Sequence, residues 1–84
     1  STDMMQELEL AKQQKSLEVL NNIAHKLLPS YQHFHIHTLT GHLKYLEKAA
    51  DWEEDKINAA VDAVITTTRQ VHTALKEELK TLQA

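Results

Sequence analysis

Six histidines fall in 84 residues, and four of them, His33, His35, His37 and His42, crowd into ten consecutive positions. Paired imidazoles grip zinc or nickel, and on a helix His33 and His37 would stand four apart on one face, the spacing such pairs use. A third donor is missing: the chain has no cysteine, and no acidic residue lies between 29 and 42. His42 would stand about 140° round the helix from His37. The expectation is a solvated, titratable patch with no resident metal or other cofactor, His33 and His37 being the weak candidate donors. An ordinary imidazole titrates at about 6.5, so a pH- or metal-responsive binder acting through the His33–His42 cluster is one functional reading.

Other catalytic chemistry is thinner. No Gly-x-Ser-x-Gly turn exists to present a serine nucleophile. The acidic run Asp51, Glu53, Glu54, Asp55 lacks the glycine bend and oxygen-rich loop of a calcium site. It reads as a solvated helix start, with Trp52 beside it as an end cap or partner anchor. No catalytic residue and no enzyme activity are expected.

His25 stands in a more specific context. Ile23-Ala24-His25-Lys26-Leu27-Leu28-Pro29 resembles the phosphoacceptor box of sensor histidine kinases, a histidine on a long helix with a kinking proline downstream. Leu39-Thr40-Gly41-His42-Leu43-Lys44-Tyr45-Leu46-Glu47 resembles the rest of that family's first helix. The resemblance implies a helical hairpin that dimerises into four helices. The family places an acid or amide straight after the histidine, where this chain has Lys26, and its proline usually comes one residue later than Pro29. A second placement exists: His37-Thr38-Leu39-Thr40-Gly41 resembles the His-x-x-Lys-Gly core of histidine phosphotransfer modules, with Thr40 at the lysine position. The two resemblances make His25 and His37 candidate phosphoacceptors. No ATP-binding domain fits in the chain, so autonomous kinase activity is excluded.

The elements that must position these residues read as helices. One glycine and one proline, against average usage of roughly 7% and 5%, leave too few turn residues for a sheet. Asp3 and Gln6 read as a capping box. Leu10, Leu17, Leu20, Ala24 and Leu27 then recur on one helical face, widened by Val19, Ile23 and Leu28. Pro29 disfavours helix at the residue before it, so the spacing predicts a first helix over 3–28. Ile36, Leu39, Leu43, Leu46 and Ala50 step by three and four, predicting a second over 33–50. Gly41 is off that seam. Asp51 and Glu54 form a second capping box, and Ile57, Val61, Val64, Thr68, Val71, Leu75 and Leu82 carry a third helix over 52–82. Without a break near 50–52 the last two would be one helix, and the chain a hairpin needing a partner to bury its face.

Composition bounds the rest. Hydrophobic residues at 42% and charged at 25% suit one folded domain over 1–84. The net charge of −3 removes a basic nucleic-acid footprint. No apolar run approaches the roughly 18 residues of a membrane span. Absent cysteine fits a reducing, cytoplasmic location. A start at Ser1 rather than Met fits a fragment of a larger protein. The expected architecture is an all-α three-helix bundle, or the dimerising hairpin. The expected role is non-enzymatic protein interaction or oligomerisation, with a protein partner or a second copy. Val71, Leu75, Leu79 and Leu82, on the part of the third helix that overhangs the second by roughly 15 Å, would make that contact together with Trp52.

Overall fold

The computed structural model of the chain describes residues 4–71 and residue 77. Its helices are α1 (Met4–Gln14), α2 (Leu17–His33), α3 (His37–Lys48) and α4 (Glu54–Gln70). Among the described residues there is no strand, and no helix is long and apolar enough to cross a membrane. The all-α class holds. The count of three helices does not, because the expected first helix divides in two.

The division falls at Lys15, whose φ of 54° is left-handed. Its amide donates to the Lys12 carbonyl at 3.2 Å, and the Ser16 amide reaches back to the Ala11 carbonyl at 3.0 Å. This pair of bonds is a Schellman closure, which satisfies carbonyls that a helix end otherwise leaves orphaned. Glycine usually supplies the left-handed residue. A lysine there leaves no mark in the sequence.

Pro29, expected to end a helix, lies inside α2, which runs on to His33. A proline within a helix removes one amide bond and crowds the carbonyl four residues back, here that of His25. Burial of Ser30 and Tyr31 just beyond it offsets that cost. The true end of α2 is a second Schellman turn. His35 sits at φ 58°, its amide donates to the Gln32 carbonyl at 3.1 Å, and the Ile36 amide donates to the Tyr31 carbonyl at 3.0 Å. Histidine enters this conformation more readily than most residues.

The break between the last two helices is present, spanning the residues between Lys48 and Glu54, so the continuous-helix hairpin is not formed. Its cause differs from the expected capping box. Glu53 is the N-cap of α4 and makes no side-chain cap bond. Glu54 and Asp55 occupy the first turn, where negative charge suits the helix dipole. The end of α3 is held from outside: Asn21 Nδ2 donates to the carbonyls of Leu46 at 2.5 Å and Ala49 at 3.3 Å. α4 closes at Gln70, with the Val71 amide donating to the Thr67 carbonyl at 3.0 Å. The helix expected over 52–82 is therefore shorter, and Leu75, Leu79 and Leu82 lie outside the described residues.

The helices close a ring. α1 packs on α2 and α4, and α3 packs on the same two, while neither diagonal pair approaches within 8 Å between Cα atoms. Inside lie Met5 and Leu8 of α1, Leu20, Leu27 and Tyr31 of α2, Leu43 and Leu46 of α3, and Ile57, Val61 and Val64 of α4. Each such aliphatic side chain contributes about 1.5–3 kcal/mol on burial. Leu10 and Val19, expected on the buried stripe, are instead 48% and 42% exposed. That stripe needs one unbroken helix; the turn at Lys15 resets the helical phase, and α1 buries Met4, Met5, Leu8 and Ala11 instead.

Candidate functional site

Asn21 and His25 stand one turn apart on α2 and both reach the C-terminal half of α3. Asn21 clamps its carbonyls, as above, and His25 Nδ1 bonds to a carboxylate oxygen of Glu47. An ionised carboxylate only accepts, so Nδ1 carries the proton and the neutral ring keeps its lone pair on Nε2. The His25 side chain is 78% exposed and that of Glu47 21%. Glu47 is thus the anchored member, and Nε2 sits on a ring open to solvent. The acid missing beside His25 in sequence is supplied from α3, 22 residues on. No local pattern reveals that pairing.

The histidine-rich stretch is not one helical face. His33 ends α2 and His37 begins α3, with the left-handed His35 between them. The His33 ring meets Phe34 edge-on at 5.1 Å between centroids, and those of His35 and His37 stand 5.8 Å apart. All three histidines are exposed, whereas His42 is half-buried on α3. Among the described residues no three His, Asp or Glu side chains gather as metal donors. His37, the second candidate phosphoacceptor, has no acidic partner comparable to Glu47 among the hydrogen bonds and ion pairs described.

A groove of about 350 Å³ runs between α1 and α2. Leu10 and Val19 edge it, Ile23 and Ala11 line it, and Glu7 and Lys26 bring one charge of each sign to it. Sequence periodicity missed this surface because it assigned Leu10 and Val19 to the interior.

At the start of α4, Trp52 is half-buried against the core, and its Nε1 donates to Glu54 Oε2 at 2.7 Å. Asn58 Nδ2 donates to the other oxygen at 3.3 Å, and Lys15 Nζ lies 3.5 Å away. The indole bond first, then Asn58, holds the Glu54 carboxyl below its ordinary value. Lys56, 3.0 Å from Glu53, is raised above its ordinary value by that bond and charge. Trp52 is therefore packed partly on the core, with its indole N–H bonded to Glu54. Val71 is likewise half-buried against the core. No protein-family model, curated protein or solved structure matches the chain.

Proposed function

We propose that the chain is a non-enzymatic helical interaction module that associates with a second copy of itself through the α1–α2 face. The observation that carries this reading is the exposure of Leu10 and Val19 at 48% and 42%, both lining one groove. Large apolar side chains clustered at a concave surface mark contact sites more often than isolated ones do. Glu7 and Lys26 leave the groove without a net sign, which suits a second copy better than a strongly charged partner. By sequence alone, Leu75, Leu79 and Leu82 are further apolar candidates for association.

Sedimentation equilibrium from micromolar to millimolar protein tests it. The expected result is a dimer mass that Leu10→Glu or Val19→Glu returns to monomer while helicity is unchanged. A strict monomer throughout overturns the reading. Loss of the dimer in Leu79→Glu alone would move the contact away from the α1–α2 face.

The His25–Glu47 pair favours a second reading, acceptance of a phosphoryl group on His25 Nε2 from a partner protein or a small phosphodonor. A carboxylate that fixes the proton on one imidazole nitrogen orients the other as a nucleophile. Incubation with labelled acetyl phosphate should give an acid-labile label that His25→Gln removes and Glu47→Gln diminishes. An unlabelled, folded protein rejects it.

A further inference from the structure

Glu7 and Lys26 line the α1–α2 groove, and neither joins an ion pair with any other described residue. The other two charged residues of α1 have partners on α4: Glu9 lies 4.0 Å from Arg69, and Lys12 holds Asp62 at 2.9 Å. Glu7 is the charge that α1 leaves on the groove, half-buried, and Lys26 stands exposed on the α2 wall. The turn at Lys15 and Ser16 joins the two walls at one end. At about 1.5 Å of rise per residue, Leu10 and Val19 lie about 8 and 5 Å along their helices from that turn, and Glu7 and Lys26 about 12 and 15 Å. Each wall thus presents an apolar residue nearer the turn and a charge farther out, and the two charges are opposite in sign.

We propose that two copies meet here about a two-fold axis running along the groove, so that Glu7 of each copy pairs with Lys26 of the other; this rests on the self-association reading above. Such an axis sets the α1 wall of one copy on the α2 wall of the second without reversing its direction. Leu10 then faces Val19 and Glu7 faces Lys26, each contact made twice, as a self-complementary interface requires. The other two-fold that brings the faces together runs across the groove. It lays α1 on α1 with the direction reversed, which turns Lys26 onto Val19 and Glu7 onto Leu10. A charge desolvated against an apolar side chain costs free energy that an opposite charge offsets, so the lining selects the first arrangement.

Charge reversal read by sedimentation equilibrium tests this. Glu7→Lys and Lys26→Glu should each weaken self-association by about tenfold or more, since either change sets like charges together twice. An equimolar mixture of the two single variants should recover the parent affinity to within about threefold, because every contact in the mixed dimer is again between opposite charges. Each reversal changes the net charge of −3 by two, so both variants stay acidic and general attraction does not mimic that recovery. A salt bridge within one chain cannot produce it either. If the parent dimerises and Leu10→Glu abolishes the dimer, yet the mixture recovers nothing or the single reversals leave the affinity unchanged, the pairing is overturned and the self-association reading stands. Coupling between Glu7 and Lys26 that appears only in the thermal stability of monomeric Leu10→Glu protein would place the pair inside one chain and overturn the proposal as well. A parent that stays monomeric throughout overturns both.

Discussion

The Tyr31 hydroxyl on α2 bonds to the Thr68 hydroxyl on α4 within the core, joining two helices whose backbones lie diagonally opposite in the ring. Both residues are almost fully buried, at 0% and 2% exposure. The bond is a polar tie within a mainly apolar interior.

Breaking that tie from either side removes one buried hydrogen bond. Tyr31→Phe and Thr68→Val should each destabilise the fold by about 0.5–1.5 kcal/mol. The double variant should cost clearly less than the sum, because the same bond is lost in both. Urea denaturation of the four proteins of the cycle measures this, and strict additivity would show that the two hydroxyls act independently.

The two Schellman turns predict an unusual gain. Lys15 and His35 hold left-handed backbone that glycine adopts without steric cost, so Lys15→Gly and His35→Gly should each stabilise by about 1 kcal/mol. His35→Val should do the reverse, since a β-branched side chain tolerates that region least. Thermal melts that fall in both glycine variants would contradict the assignment of these turns.

Gly41 and Pro29 are helix-interior residues that ought to be improvable. A Cβ built on Gly41 meets nothing within 4 Å, so Gly41→Ala should gain about 0.5–1 kcal/mol from helix propensity alone. Pro29→Ala restores an amide to the His25 carbonyl and should gain more, up to about 3 kcal/mol. Urea midpoints in the opposite order would mean that α2 draws support from its proline.

The Trp52–Glu54 contact gives the protein an optical pH signal. Folding lowers the Glu54 pKa, so its stabilising contribution is complete above the ordinary value of 4.5 and is lost as pH falls through the lower folded value. Trp52 is the single tryptophan. Its emission should therefore change in a step below pH 4.5, and Glu54→Gln should flatten that step. Lys56 has the opposite sign: its contribution is complete below 10.5 and is lost as pH rises through the raised value. All these groups are at the surface, so added salt should shrink both effects.

How much of this was legible in the sequence depended on whether the information was local. Leu39, Leu43 and Leu46, and Ile57, Val61 and Val64, repeat at helical spacing and are buried as that spacing demands. The break after Lys48 was legible too, although Asn21 holds the end of α3 there and no Asp51–Glu54 box caps α4. The turns at Lys15 and His35 were not, because neither carries the glycine that usually announces one. Pro29 misled for the converse reason: a local breaker was overruled by the packing of Tyr31. The same blindness hid the candidate sites. Glu47 meets His25 only after distant segments pack together. Leu10 and Val19 became surface residues only once the phase changed at Lys15.

The way α1 is held has a consequence for amide hydrogen exchange. At 11 residues it falls short of the roughly 12–15 that give even marginal helicity in isolation, so it cannot leave the ring and remain a helix. Besides its buried face, it and its turn are tied to α4 by exposed pairs: Lys12–Asp62 at 2.9 Å, Lys15–Glu54 at 3.5 Å and Glu9–Arg69 at 4.0 Å. Undocking and melting should then be one cooperative event, with the α1 amides exchanging as a block ahead of those of α2 and α3, and faster at high salt. The groove beside Leu10 and Val19 exists only while α1 is docked, so the population presenting that surface is set by a local unfolding equilibrium.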